Sequence, residues 1–135
     1  MRRFFMYLLL AIVVIGVGLY LYQRNIAPIP VTSSDLDKGG VFSDADKAAL
    51  TAACSAAIKK DTDKVCGCVT EKAGTDLSRF ERMVALASFQ AKLSDIVGLT
   101  KGLIDSGIPA DKVKAAEQDA RQRFTDLTKT CGVTQ

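Results

Sequence analysis

Four cysteines are the side chains of this chain with the most chemistry to offer: Cys54, Cys66, Cys68 and Cys131. Three roles are open to them. An even number in a small domain outside the cytosol makes a disulfide framework. A Cys66-Gly67-Cys68 dithiol closed on itself makes a strained, oxidising bridge suited to thiol–disulfide exchange. Four thiolates can also hold zinc or copper(I). The framework is favoured, because no thioredoxin-like βαβ pattern surrounds the Cys-x-Cys and the paired Cys-x-x-Cys spacing of zinc sites is missing. A Cys66–Cys68 ring is also too tight for relaxed bridge geometry. Two pairings remain, each tying Cys54 and Cys131 to one member of the Cys-x-Cys. Residues two apart on a helix point about 200° apart, so one sulfur can meet the first domain helix and the other the last. In a hairpin turning near Asp61-Thr62, Cys54 falls opposite residue 68 or 69. The expected pairing is therefore Cys54–Cys68 with Cys66–Cys131, and its close rival is Cys54–Cys66 with Cys68–Cys131. Each bridge is worth about 2–4 kcal/mol.

The rest of the chemical inventory narrows function. The chain has no histidine, which removes the commonest general base, the commonest metal ligand and the His-containing triads. Asp44/Asp46 and Asp61/Asp63 are carboxylate pairs, but both sit at expected helix starts, where acidic residues are favourable. There is no Gly-rich phosphate loop, no calcium-loop pattern and no base placed to activate a hydroxyl. Of 18 basic residues, Arg2, Arg3 and Arg24 flank the apolar N-terminal segment, and the remainder balance the 15 acidic ones. A domain without a basic stripe is a poor nucleic-acid partner. No cofactor, metal ion or small-molecule substrate is expected.

Positioning the cysteines requires helices. Phe4 to Tyr22 is an uncharged stretch of 19 residues, about 28 Å as a helix and close to the thickness of a bilayer core. It is too long for a cleaved signal, and its best small-x-small site, Gly16-Val17-Gly18, lies inside the apolar run. It reads as an uncleaved anchor, residues 1–24. Arg2, Arg3 and the amino terminus favour a cytoplasmic start, and Tyr7, Tyr20 and Tyr22 suit the headgroup regions. Residues 25–42, with Pro28, Pro30, Ser33, Ser34, Gly39 and Gly40, read as an extended spacer. The alternative is a docking strand for a partner at Ile26–Val31.

Residues 43–135 form the expected exported domain. Period-two alternation is missing and helical signals recur, so the fold class is all-α: a small bundle of four to five short helices behind a single transmembrane helix. Ser43 opens the first domain helix, which runs on to Lys59 and Lys60 with Leu50, Cys54, Ala57 and Ile58 on its buried face; Phe42 stands where a hydrophobic staple would. A short second helix, Lys64 to Ala73, stops at Gly74. Ser78-x-x-Glu81 is a capping box for a third helix reaching about Leu93. That helix has two apolar stripes: Phe80, Met83, Val84, Ala87 and Ala91, then Leu86, Phe89, Leu93 and Ile96. Such a helix is either central in the bundle, the favoured reading, or offers its second stripe to a partner. Ser94 caps a fourth helix, Asp95 to Ser106, unless the third continues through it. Gly98 and Gly102 would let another helix approach, and Gly107-Ile108-Pro109 ends that segment. The last helix, Ala110 to Thr130, buries Val113, Ala116, Ala120, Phe124, Leu127 and Cys131.

The expected function is that of an accessory or scaffolding subunit of a membrane-bound protein assembly. It would be single-pass in the cell (inner) membrane, with the N-terminus cytoplasmic and the domain periplasmic. Protein partners would dock on Leu86, Phe89, Leu93 and Ile96. The alternatives are thiol–disulfide exchange at Cys66 and Cys68, and a Cys-ligated metal site.

Overall fold

The computed structural model describes residues 2–133, with side chains from Met6 onward. The orientation argument from Met1, Arg2 and Arg3 rests on an amino terminus and side chains outside the described residues, as do the domain's last two residues, Thr134 and Gln135. The fold is all-α, with six α-helices and no strand among the described residues. An apolar helix, α1 (Arg2–Asn25), precedes a bundle made of α2 (Asp44–Ala57), α3 (Thr62–Asp76), α4 (Arg79–Phe89), α5 (Leu93–Asp105) and α6 (Ala110–Thr130).

Side-chain capping sets two of the five bundle-helix starts, those of α2 and α4. The Ser43 hydroxyl accepts the Asp46 N–H at 3.1 Å. At α4 the capping box is complete, with the Glu81 amide donating to Ser78 Oγ and the Ser78 amide donating to the Glu81 carboxylate at 2.8 Å. The first domain helix ends earlier than expected. Ile58 is already extended and Asp61 sits in the left-handed region with φ 49°, so Lys59 and Lys60 belong to the turn and Ala57 is exposed. Asp61 does not cap α3 with its side chain. Nor does Gly74 stop α3, which runs through it to Asp76. That glycine serves packing: a Cβ there would lie 3.2 Å from the Phe42 ring. Phe42 is thus wedged against α3, and it also meets Lys47 and Arg82 across its face.

The third domain helix ends at Phe89, short of the expected Leu93, and a separate fourth helix follows. Ala91 takes φ 54°, and the Lys92 amide closes back onto the Ala87 carbonyl at 2.9 Å, so α4 ends and α5 starts one residue before Ser94. A non-glycine residue in that conformation costs about 1–2 kcal/mol. The reversal brings Ile96, Leu99 and Leu103 onto Phe80, Val84 and Ala87, and burying such side chains returns about 1.5–3 kcal/mol each.

Two apolar cores result. One joins α4, α5 and the first half of α6; the other joins α2, α3, the opposite side of α4 through Ala85, and Leu127 near the end of α6. Helix α4 lies between them, which answers its two apolar stripes. In α6, Val113, Ala120 and Leu127 are buried and Ala116 and Phe124 pack at the margins, as its spacing requires.

Residues 25–42 are not a spacer. The Ile29 amide donates to the Gly98 carbonyl at 2.9 Å, Val31 is 4% exposed within the first core, and Ile29 and Leu36 pack against it. A short 3₁₀ turn, Ser33–Leu36, carries Asp35 to Arg79 at 3.1 Å. What approaches Gly98 and Gly102 is therefore this strap of extended chain and not another helix. A Cβ on Gly102 would stand 1.8 Å from the Ile29 carbonyl oxygen.

Gly67 is the opposite case: it lies exposed within α3 with nothing within 4 Å of a Cβ. Gly67→Ala is expected to raise the unfolding free energy by about 0.5–1 kcal/mol, the helix-interior cost of glycine. Guanidinium unfolding followed by circular dichroism measures it.

Candidate functional site

The four sulfurs form two bridges on opposite sides of α3, one to α2 and one to the end of α6. The bridges are Cys54–Cys66 and Cys68–Cys131, the rival pairing and not the expected one. The reason is the position of the turn. Because α2 unwinds at Ile58 and α3 begins at Thr62, the hairpin is centred nearer residue 60, and Cys54 faces a residue one helical step earlier than residue 68. The opposed orientations of Cys66 and Cys68 do hold: one sulfur reaches back to α2 and the other forward to α6. Helix α3 is clamped on both sides.

This geometry bears on the two chemical alternatives. Cys66 and Cys68 are not bonded to each other, so the tight dithiol ring on which exchange chemistry was based is not formed. Cys54 and Cys66 are 0% exposed, while Cys68 and Cys131 are half-buried. A four-thiolate metal site would need the same sulfurs, which are paired with one another. The carboxylates of Asp44 and Asp46 stand at the start of α2 and those of Asp61 and Asp63 at the turn into α3, as separate groups at helix starts.

The four residues expected to greet a partner do not share a surface. Ile96 is buried in the first core, and Leu86 and Phe89 pack against the second. Phe89 meets Phe124 edge-to-face, with centroids 5.0 Å apart. Leu93 alone is exposed, at 67%. The break at Ala91 turns Leu93 and Ile96 away from Leu86 and Phe89.

Of the two buried charged groups, Glu81 was legible in the sequence only as a helix cap and Arg82 was not singled out. Arg82, nearly buried, donates to the carbonyls of Leu77, Gly40 and Val41 at 2.9–3.1 Å and lies 4.7 Å from the Phe42 ring centroid. Burial holds its pKa below the ordinary guanidinium value, against the raising fields of Asp46 and Glu81. It lines a cleft between α2 and α4 together with Phe42, Asp46, Leu50, Arg79 and Met83. Arg82→Met is expected to cost about 2 kcal/mol, because carbonyls lose their donors, and Arg82→Lys is expected to recover little of it, since an ammonium lacks the forked reach. Thermal unfolding of the two variants checks this.

Glu81, already spent on its capping box, also accepts Arg123 Nε at 3.0 Å, pinning α4 to α6. The hydrogen bond from Arg123 to Asp119, helped by the field of Glu81, raises the pKa of Arg123. Partial burial pushes the Asp35 carboxyl up, but the Thr32 amide and Arg79 outweigh it and hold its pKa below 3.8. A carboxylate depressed in the folded state contributes stability above its unfolded pKa and loses it as pH falls through the folded value. Asp35→Asn is therefore expected to flatten the acid limb of the stability curve and to change little below it. Unfolding midpoints across an acid titration report this.

The arrangement can clamp helices, fix the strap and present α1. No known protein family, curated protein or solved structure matches the chain.

Proposed function

We propose that the protein is a single-pass membrane protein whose stapled helical domain lies on the extracytoplasmic side of the cell (inner) membrane, as an accessory or scaffolding subunit of a membrane-bound assembly. The observation that carries this reading is α1. Its apolar stretch Met6–Asn25 is 20 residues long, and none of its residues is buried by the rest of the molecule. A helix apolar all round finds its stable surroundings in hydrocarbon or among other apolar helices. Two disulfides support an oxidising compartment for the domain, and Arg2 and Arg3 before the span support a cytoplasmic start. The sulfurs and the buried charges are engaged in holding helices together, which favours a docking role over a catalytic one.

Purification of the tagged full chain from native membranes in mild detergent tests the assembly. Stoichiometric co-migration with other membrane proteins is expected. A lone monomer at native abundance would count against it.

A further inference from the structure

Resting on the membrane reading of α1, we infer that the domain lies directly on the outer leaflet, with the start of α5 inserted among its phospholipids.

The strap leaves no slack for the domain to stand away from the bilayer. Helix α1 ends at Asn25. Lys101 of α5 donates to the carbonyls of Gln23 and Ile26, the latter at 3.0 Å, and the Ile29 amide is tied to Gly98. The chain is thus bound to α5 from the last turn of the span onward.

Depth follows from the cleft at this junction. It has a volume of about 300 Å³, and its lining includes Leu19, Tyr22 and Ile26 from the anchor side and Leu93, Val97 and Arg121 from the bundle. Leu19 and Tyr22 belong to the apolar span and are about 4–5 Å apart along its axis. A span of this length places them at the outer edge of the hydrocarbon and in the headgroup region. Leu93 shares their cleft and is 67% exposed, so it lies at that depth with its side chain free.

The charges agree with the occupant. Arg24 and Lys92 flank the cleft walls in the sequence, and Arg121 stands on its rim, where Glu117 holds it at 2.8 Å. Lys and Arg side chains near the end of a span reach to the headgroup level, where the lipid phosphates lie. The occupant is a phospholipid of the outer leaflet, its glycerol and upper acyl chain against Leu93 and its phosphate toward the cations next to the cleft in sequence, Arg24 and Lys92, Arg121 being held by Glu117.

The chain has no tryptophan, so Leu93→Trp introduces a single indole reporter. The full-length variant is reconstituted into phosphatidylcholine–phosphatidylglycerol vesicles whose acyl chains carry bromine near the glycerol end. Blue-shifted emission and loss of most of its intensity to bromine are expected. Val41→Trp, at a site 86% exposed ahead of α2, is expected to emit red-shifted and unquenched. Both substitutions replace exposed side chains, and matched unfolding midpoints in detergent verify the fold. If the protein floats with the vesicles and the Leu93→Trp emission matches that of Val41→Trp, the inference is overturned while the anchor stands. If the protein does not float, the membrane reading falls and takes the inference with it.

Discussion

Replacing Cys68 and Cys131 together by alanine is expected to lower the unfolding free energy by about 4 kcal/mol, against about 3 kcal/mol for Cys54 and Cys66. The difference follows from the stretch each bridge closes, 63 residues apart in sequence for the first and 12 for the second. A crosslink acts chiefly on the unfolded chain, and the freedom it removes grows with the logarithm of the closed length. Small domains hold only about 5–15 kcal/mol in total, so losing the long bridge brings this one near its threshold. Chemical unfolding of both double variants measures the effect. Equal losses would mean that the reduced chain keeps α3 and α6 together before it folds.

Gly102→Ala is expected to cost about 3 kcal/mol and to free the strap. Within an unobstructed helix this change would be mildly stabilising. Here the new Cβ would stand 1.8 Å from the Ile29 carbonyl oxygen, 2.9 Å from a Val31 methyl and 3.0 Å from the Ile29 carbonyl carbon. Two of these are backbone atoms and cannot rotate away. The strap must lift, exposing Val31 and breaking the Ile29–Gly98 hydrogen bond, and each buried apolar side chain lost costs about 1.5–3 kcal/mol. Limited proteolysis gives the specific readout, with new cleavage between α1 and α2 in the variant only. A variant as resistant and as stable as the parent would show that the strap is not held by α5. Gly67→Ala, in a helix with open space, is the internal control of opposite sign.

The legible parts of the fold were those written in helical period and cap chemistry. The apolar N-terminal helix, α6 with its stripe from Val113 to Cys131, and the Ser78–Glu81 box all stand where their spacing puts them. What escaped was decided by small shifts with large consequences. The early end of α2 at Ile58 moves the hairpin by about one residue pair and exchanges the partners of Cys66 and Cys68. The turn at Ala91 carries no glycine to announce it, so Leu86, Phe89, Leu93 and Ile96 read as one stripe although tertiary burial splits them. Gly74, Gly98 and Gly102 were legible as unusual but ambiguous, because a glycine that ends a helix and one that admits a neighbour look alike in sequence. Arg82 has no local signature at all: its acceptors at Gly40 and Val41 lie about forty residues upstream.

The bridges form consecutive loops, the first complete before the second begins. For a domain that enters an oxidising space with Cys54 ahead of its other cysteines, Cys54 meets its native partner as the first thiol to follow it, and Cys68 then waits for the last to arrive. Crosslinking in order of appearance would yield the native pattern, and in such a space it would ask for an oxidant and no reshuffling of mispaired sulfurs.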